Sequence, residues 1–254
     1  MQHHLNAFLN SNVEKYNQVD FIELDPISIP HKFSRKEDIE IAGFLTSSIS
    51  WGNRKAILKS ANQLMNWLDN APHDFVVNHS NSDLKPFDKF VYRTFNGSDC
   101  TLFIKSLQNI YLKHKGLEEV FTLGYKKNNS IEGAISNFRE LFFSIDHPTR
   151  TQKHVANPLK GSSSKRLNMF LRWMVRKDKN GVDFGIWEDI NRADLMIPLD
   201  VHSGTIARKL GLLKRNANDW KSVVELTNKL KEFDTEDPIK YDFALFGLGV
   251  NGEF

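Results

Sequence analysis

Cysteine is almost absent from this chain, which excludes two ways of cross-linking it. Cys100 is the single cysteine among 254 residues, so neither an intramolecular disulfide nor a cysteine-ligated iron–sulfur cluster can form. Long apolar runs are missing too, and none approaches the length that a membrane-spanning helix requires. The start, Met1-Gln2-His3-His4, does not resemble a signal peptide. We therefore expect a cytoplasmic protein with no membrane partner.

The motifs of several common enzyme classes are missing as well. The nine histidines form no HExxH pair, which argues against a zinc site of the metalloprotease type. The sequence has no glycine-rich loop for ATP or a dinucleotide, and no Gly-x-Ser-x-Gly segment to present a hydrolase nucleophile. The sequence thus predicts neither a metal nor a cofactor.

The composition and the hydrophobic pattern indicate a globular, helical protein. Hydrophobic residues make up 40% of the chain and charged residues 26%, which supplies a core and is typical of a protein in water. The length fits one large domain, or two lobes that share a core. Apolar residues recur at helical spacing, and no segment of any length alternates as a β-strand does. We predict an all-α fold in which residues 1–254 form a single domain of two helical lobes.

Capping residues predict where several helices begin. Ser34 and Glu37 have the spacing of a capping box, and Asp200 and Asp219 each precede a helical segment as an N-cap does. The pair Asp237-Pro238 has the order that is typical of an N-cap and the first helical position.

The segment from Asn157 to Leu213 contains the features that bear on function. A short turn through Asn157 and Gly161 and three serines lead into an amphipathic helix. Lys165 lies in the first turn of that helix, where the positive end of the helix dipole favours anions over cations. A second helix begins after Asp200 and stops at Gly211. The apolar face of the first helix consists of Leu167, Phe170, Leu171, Met174 and Val175.

Basic residues are concentrated around this turn. Residues 150–179 contain nine Lys or Arg and one acidic residue, a net charge of +8, so the rest of the chain carries −5 of the total of +3. A basic face on a protein of low net charge is expected where the partner is a polyanion. A solvated charge run is the alternative, and we favour the polyanion because the charge coincides with the turn. The basic residues are Arg150, Lys153, Lys160, Lys165, Arg166, Arg172, Arg176, Lys177 and Lys179.

The turn and the later aspartate resemble the helix-hairpin-helix DNA glycosylases. In the endonuclease III branch, a Gly-x-Gly hairpin precedes the catalytic lysine by two residues, and a Val-Asp-Thr-His segment carries the catalytic aspartate. Here the segment from Gly161 to Lys165 is similar to the hairpin, with Ser163 in place of the second glycine. Leu199-Asp200-Val201-His202 is similar to the aspartate segment. The connector between them is longer, as in the archaeal 8-oxoguanine glycosylases, and the whole chain resembles an uncharacterised bacterial family placed within or near this superfamily.

The resemblance implies a set of site residues. Lys165 and Asp200 would be catalytic. DNA would be bound by Lys160, Gly161, Ser162, Ser163, Ser164, Arg166, Arg172 and His202, with the backbone N–H groups of residues 161–164 holding a phosphate. The base pocket, which lies between the two lobes in this superfamily, would contain Ser48, Trp51, Asn53 and Tyr241. For His202, a phosphate contact and a core hydrogen bond are equally compatible with the sequence.

In the chemistry of this superfamily, the catalytic lysine and the catalytic aspartate have different roles. A lysine is a nucleophile only as the neutral amine, which burial or positive neighbours favour, and Lys160, Arg166 and Arg172 are expected nearby. Asp200 would stabilise positive charge on the sugar and help take protons from the lysine, in addition to capping its helix.

Three functions are compatible with these features. The first is a monomeric DNA glycosylase with associated lyase activity, which acts on double-stranded DNA containing a damaged base, most plausibly an oxidised purine such as 8-oxoguanine. The second is a non-catalytic helix-hairpin-helix protein that only binds DNA. The third is a helical interaction protein whose basic face meets an acidic protein. The resemblance favours the first.

Overall fold

The computed structural model describes residues 2–252, which are mostly α-helical and include one small sheet. The prediction of an all-α chain is confirmed at this level, whereas the glycosylase-like arrangement stays a prediction. The helices are α1 (Gln2–Tyr16), α2 (Asp20–Leu24), α3 (Lys36–Ser48), α4 (Arg54–Trp67), α5 (Pro72–Asn78), α6 (Gly97–Lys113), α7 (Leu117–Asn128), α8 (Ile131–Phe142), α9 (Lys165–Val175), α10 (Val201–Lys209), α11 (Trp220–Lys231) and α12 (Tyr241–Asn251).

The small sheet is a hairpin that the sequence did not predict. Strands β1 (Val91–Tyr92) and β2 (Phe95–Asn96) pair antiparallel, and Arg93 in the turn between them has a φ of 54°. Strands of two residues are too short to produce a recognisable alternation. The rings of Tyr92 and Phe95 are both buried and are therefore part of the core of this unit.

The chain divides into two compact units. One consists of Met1–Glu23 and Asn157–Phe254, and the other of Leu24–Ala156. The first unit therefore contains α1 and the whole segment from Asn157 to Leu213, while the second contains α3 to α8.

The unit Leu24–Ala156 has an aromatic core. The ring of Phe44 on α3 stacks on Phe103 of α6 at 5.7 Å between centroids and meets Phe138 of α8 edge to face at 5.2 Å. Such ring pairs add to the free energy of apolar burial. Helices α7 and α8 pack closely, because Gly124 lets them approach: a Cβ at that position would lie 2.6 Å from the carbonyl oxygen of Gly133.

The unit that contains the hairpin is organised around α12. Helices α1 and α10 both pack against α12, whose Phe243, Ala244 and Leu245 are buried. The approach of α1 depends on Gly247, since a Cβ there would lie 2.3 Å from the ring of Tyr16. A membrane-spanning helix would need a longer apolar stretch than any helix in residues 2–252 provides.

Two of the predicted N-caps are confirmed. One carboxylate oxygen of Asp200 accepts the N–H of Ser203 at 3.0 Å at the start of α10. Asp219 accepts the N–H of Ser222 at 2.9 Å at the start of α11. Each aspartate thus satisfies a backbone donor that has no partner inside its helix.

The predicted start at Ser34 is wrong, whereas Asp237 and Pro238 do occupy the N-cap and first positions of a 3-10 turn, without a side-chain cap bond. Helix α3 begins after Arg35 instead of Ser34, and the guanidinium of Arg35 pairs with Glu37 at 3.0 Å. The side chain of Asp237 caps no helix, because its carboxylate binds Arg176 at 3.0 Å. A single 3-10 turn, Pro238–Lys240, separates Asp237 from α12.

Candidate active site

The turn before α9 is a tight, internally bonded hairpin. Pro158–Lys160 forms one 3-10 turn, and the side chain of Asn157 accepts the N–H of Leu159 at 3.0 Å. Gly161 then adopts a φ of 84°, a left-handed conformation that suits glycine, and a Cβ there would meet nothing within 4 Å. Ser164 also has a left-handed φ of 51°, directly before α9. The hairpin therefore fixes the point at which α9 begins.

Most of the backbone donors of this hairpin are already used. The N–H of Gly161 donates to Pro158 O at 2.8 Å, that of Ser162 to Asn157 O at 3.2 Å, and that of Ser164 to the hydroxyl of Ser162 at 3.2 Å. The predicted phosphate cradle of N–H groups from residues 161–164 is therefore wrong for these three residues. Ser164 is itself buried, and the hairpin exposes Lys160 and Gly161 instead.

A second segment holds the hairpin from the side. Ser162 forms an isolated antiparallel bridge with Asp219, and the N–H of Trp220 donates to Gly161 O at 3.1 Å. The start of α11 thus braces the hairpin, although the two segments are far apart in sequence.

The two predicted catalytic side chains lie next to each other. The Nζ atom of Lys165, in the first turn of α9, is 3.6 Å from Oδ2 of Asp200, and their side chains are 28% and 21% exposed. The other oxygen of Asp200 accepts from both the N–H and the hydroxyl of Ser203, at 3.0 and 3.1 Å. One carboxylate therefore caps α10 and pairs with the lysine at once, at a position that a small molecule can reach.

The long connector between Lys165 and Asp200 lies against α9. The N–H of Phe184 donates to Trp173 O at 2.8 Å, and that of Trp187 to Met174 O at 2.9 Å. Near its end, the N–H of Ile197 donates to the hydroxyl of Thr227 at 3.2 Å. These bonds fix where the connector ends and so help to bring Asp200 to Lys165.

Two arginines of the basic window are buried instead of exposed. Arg172 and Arg176 are 4% and 2% exposed. Arg172 binds Asp183 at 3.1 Å and also forms a short ion pair with Asp242. The predicted contact of Arg172 with DNA is therefore wrong, and Arg176 does not belong to a surface face either. A buried guanidinium requires paired charges, and nearby aspartates provide them.

Arg176 is the more heavily paired of the two. It contacts Asp178 at 2.8 Å, Asp183 at 2.9 Å and Asp237 at 3.0 Å. Burial alone would lower the pKa of Arg176, but Asp183 and Asp237 raise it above its usual value. Arg172, Arg176 and their carboxylate partners thus form one buried network of ion pairs at the C-terminal end of α9.

Asp242 connects this network to the candidate catalytic pair. Its side chain lies in the first turn of α12 and is 6% exposed. Burial raises the pKa of Asp242, with a further contribution from the negative charge of Asp200, while Arg172 and Lys165 lower it, and the resulting pKa is about 6. The pKa of Asp242 therefore depends on the charges of both Lys165 and Asp200.

The remaining predicted DNA contacts differ in accessibility. Lys160 and His202 are exposed, Ser162 and Ser163 are half-buried, and Arg166 is half-buried as well. Burial lowers the pKa of Arg166 to about 10. Because His202 lies on the surface, the alternative of a core hydrogen bond is wrong for it. Of the other basic residues in this unit, Lys177 and Lys179 are exposed.

The four predicted pocket residues belong to different units and have different surroundings. Ser48 is buried at the end of α3, and Asn53 caps α4 by accepting the N–H of Ala56 at 3.1 Å. Trp51 is half-buried and stacks on His154 at 6.2 Å between ring centroids. Tyr241 is fully buried, and its hydroxyl donates to Asn10 at 3.2 Å. The base pocket remains a prediction.

A cavity in the unit Leu24–Ala156 contains none of the predicted site residues. It has a volume of about 550 Å³ and includes no carboxylate. Its polar lining comes from His79, Ser80, Asn81, Lys105, Gln108, Asn109 and Lys113. Within residues 2–252, no cluster of three or more histidine, cysteine or acidic side chains is arranged to hold a metal ion.

The sequence was compared with protein families, curated proteins and solved structures. Residues 25–251 match the family described as "Protein of unknown function (DUF2400)". The chain belongs to this family. The match includes the hairpin, Lys165, Asp200 and Asp242, so the candidate site lies inside the region that defines the family. No curated protein and no solved structure matches the chain.

Asp183 and Asp242 are the site residues that the sequence analysis missed. Each lies outside the segments that resemble a glycosylase motif, and neither has a diagnostic neighbour in sequence. One signal was present: Arg172 and Arg176 are four residues apart at the end of α9, and the three residues between them are apolar. Arginines that flank a fully apolar, buried stretch need acidic partners, which could have prompted a search for them.

Proposed function

We propose that this protein is a DNA glycosylase with associated lyase activity, acting on an oxidised purine such as 8-oxoguanine in double-stranded DNA. The observation that carries the proposal is the pair of Lys165 and Asp200, 3.6 Å apart at the starts of two helices. A lysine nucleophile needs a neighbouring carboxylate for proton transfer and for stabilising a cationic sugar. The pair also occupies the positions that the resemblance to the superfamily assigns to the nucleophile and its aspartate.

The reaction uses the two residues in sequence. After Lys165 has given up a proton to water through Asp200, its amine attacks C1′ of an extruded nucleotide. The bond from C1′ to the base breaks, its electron pair leaves with the base, and the base takes up the proton that the bound amine loses. The sugar ring opens to a Schiff base on Lys165, and β-elimination then breaks the bond to the 3′ phosphate. Oδ2 of Asp200 stabilises the positive charge that develops on the sugar. The nucleotide must leave the stack first, because the duplex shields C1′ and the base edges.

Exposed basic side chains in the same unit as the pair suit a phosphate backbone. Lys160, Lys177, Lys179 and His202 are exposed in the same unit as Lys165, and such side chains supply the salt-dependent part of DNA binding. The apolar side chain of Leu159 is 68% exposed in the hairpin, next to Lys160. A hairpin with a cation and an apolar residue on its surface can meet both backbone and base steps.

A non-catalytic DNA-binding protein is the second candidate. It needs only the exposed basic side chains of this unit, such as Lys160, and no reactive amine. In such a protein Lys165 would act only as a charge, and arginine would replace it without loss. A Schiff-base enzyme does not tolerate that change, since a guanidinium cannot form the imine.

Borohydride trapping separates the two candidates. The protein is incubated with duplexes that carry an abasic site or 8-oxoguanine, and sodium borohydride reduces any imine to a stable cross-link. We expect a covalent complex for the wild type and none for Lys165→Gln or Lys165→Arg, while the affinity for the duplex changes by no more than a few fold.

Lys160→Gln is the matched control. It removes an exposed lysine from the same hairpin and should still give the cross-link. If no duplex traps the wild type, or if Lys165→Gln traps as the wild type does, Lys165 is not the nucleophile and the glycosylase proposal fails. Binding of the duplex without trapping would favour the second candidate.

A further inference from the structure

Residues 218–220, where α11 begins, hold the hairpin on one side. The N–H of Trp220 donates to Gly161 O at 3.1 Å, and Asp219 forms the isolated bridge with Ser162. Trp220 is 7% exposed, so the segment is itself anchored in the core. These contacts fix the hairpin, and with it the start of α9, against the first turn of α11.

On its other side, the same segment reaches the N-cap of α10. Nδ2 of Asn218 donates to the backbone oxygen of Asp200 at 3.1 Å. The carbonyl carbon is bonded directly to the Cα that carries the carboxylate, so this hydrogen bond fixes the origin of the side chain that lies 3.6 Å from Lys165. Residues 218–220 therefore connect the support of the lysine to the support of the aspartate.

Arg208 determines which way the amide of Asn218 points. Its Nη2 donates to Oδ1 of Asn218 at 2.7 Å, while its Nε donates to Arg215 O at 2.7 Å. A guanidinium has donors only, and a backbone carbonyl only accepts. Oδ1 of Asn218 therefore faces Arg208, which leaves Nδ2 to face Asp200. The orientation of the amide follows from its two partners.

Gly204 leaves the space that this arrangement needs. A Cβ at this position would lie 2.9 Å from Oδ1 of Asn218 and 2.9 Å from Nη1 of Arg208. Gly204 is buried inside α10, where glycine is less favourable than alanine for the helix. The glycine thus allows the amide and the guanidinium to approach the helix backbone closely.

Stabilisation of a transition state by a charge depends on a geometry that is fixed before the reaction. We propose that Asn218 is a positioning residue for the proposed reaction. Held by Arg208, it keeps the carboxylate of Asp200 in place relative to Lys165. The inference rests on the proposed function of the Lys165–Asp200 pair, and it requires that Asn218 affect the rate through Asp200.

The test is a double-mutant cycle, measured as single-turnover cleavage of a duplex that carries an abasic site. Asn218→Ala should lower the rate about tenfold to a hundredfold, the effect of a displaced reacting group, and leave the affinity for the duplex unchanged. In an Asp200→Asn background, the same substitution should change the rate little, because the charge that Asn218 positions is already gone. A merely structural role would lower the rate by the same factor in both backgrounds.

Two further variants test the same contact without deleting the side chain of Asn218. Asn218→Asp keeps its shape and the acceptor for Arg208 and removes only the donor to Asp200, so it should fold and lose rate as the alanine variant does. Gly204→Ala places a methyl group against Oδ1 of Asn218 and should also slow cleavage. Because alanine is the better helix former, that loss would come from the displaced amide and not from a weaker helix.

Asn216→Ala is the matched control. It removes an amide from the same loop, two residues earlier, where the side chain is exposed, and it should keep the wild-type rate. The inference is overturned if Asn218→Ala cleaves as the wild type does, or if it loses the same factor with and without the carboxylate of Asp200. Borohydride trapping by the wild type would leave the proposed function standing in either case. A wild type that neither cleaves nor traps would overturn the proposed function and this inference with it.

Discussion

The Nζ atom of Lys165 lies 3.6 Å from Oδ2 of Asp200, while Oδ1 of the same carboxylate caps α10. The cap orients the carboxylate by bonds to Ser203 that do not depend on the lysine. Lys165 is oriented separately, by the hairpin that starts α9. The pair is therefore held by two independent local structures, which is the kind of preorganisation that catalysis by charge requires.

Replacing Asp200 by asparagine separates capping from charge. Asparagine caps a helix as well as aspartate does, and a half-exposed ion pair contributes at most about 1 kcal/mol, so stability should change little. If the charge stabilises the sugar cation, the barrier should rise by about 3–4 kcal/mol, a loss on the order of a hundred- to a thousandfold in rate. Chemical denaturation and single-turnover cleavage on one preparation measure both effects.

Asp219→Asn is the matched cap substitution for this experiment. Asp219 starts α11 in the same way but pairs with the exposed Arg215. It should leave both stability and rate close to wild type. A stable Asp200→Asn protein with full activity would remove Asp200 from the mechanism.

Replacing Arg176 by methionine should unfold much of the population. Arg176 is 2% exposed and is the shared partner of Asp178, Asp183 and Asp237. Without it, several carboxylates are left near one another with too few cations, which typically costs about 3–5 kcal/mol. Equilibrium unfolding in urea measures the loss.

Arg192→Met is the comparison for that measurement. Arg192 is exposed and donates to Lys177 O at 2.9 Å, so its loss should stay within about 1 kcal/mol. An equal loss of unfolding free energy in the two variants would mean that the buried ion pairs contribute no more to stability than one exposed hydrogen bond.

The sequence predicted local structure around the site well. Asp200 and Asp219 were identified as caps because an N-cap needs only its own residue type and the start of a helix. The apolar face of α9 was read from its period, and Leu167, Phe170 and Met174 are all buried. Both features depend on residues within one or two turns of each other.

The sequence could not predict which charges lie inside. Arg172 and Arg176 look like part of a basic run, since their partners Asp183, Asp237 and Asp242 come from three later segments. A charge count treats every arginine as exposed. Only the packing of α9 against α12 and the connector shows that aspartates neutralise these two arginines. The exposed positive charge of residues 150–179 is therefore smaller than the sequence indicates, and Asp242 joins the residues around the site.

The salt dependence of DNA binding should identify the lysines that meet phosphates. We expect binding to duplex DNA of any sequence to weaken with salt, with a log–log slope of roughly −4 to −5 for about four to six phosphate contacts. Changing Lys160, Lys177 and Lys179 together to glutamine should reduce the slope by about 2–3, because each phosphate contact contributes about 0.9. Fluorescence anisotropy at several salt concentrations gives the slope.

A variant with the same change of charge controls for net charge alone. Lys221, Lys229 and Lys231 lie on α11, where Lys229 pairs with Glu232 and Lys231 with Asp194. Their replacement by glutamine should leave the slope nearly unchanged. A wild-type slope near zero would argue against a polyanionic partner altogether.

The pH dependence of stability should reveal Asp242 without any substrate. Burial raises the pKa of Asp242 to about 6 in the folded protein, against about 3.9 in an unfolded chain. The folded state therefore binds this proton more tightly, and the carboxyl contributes stability that is complete below pH about 4 and is lost as the pH rises through about 6. Relative to Asp242→Asn, the wild type should lose on the order of 2–3 kcal/mol across that window.

Asp99 provides the opposite sign in the other unit. Burial by itself raises the pKa of Asp99, but hydrogen bonds from Thr151, from the backbone of Asn96 and from Arg150 lower it overall. Its contribution is therefore present above pH about 4 and is lost as the pH falls through the folded-state pKa. Urea unfolding of wild type, Asp242→Asn and Asp99→Asn between pH about 3 and 7 should give difference curves of opposite slope. A flat curve for Asp242→Asn would show that this carboxyl titrates as it does in water, and that the charge network does not isolate it.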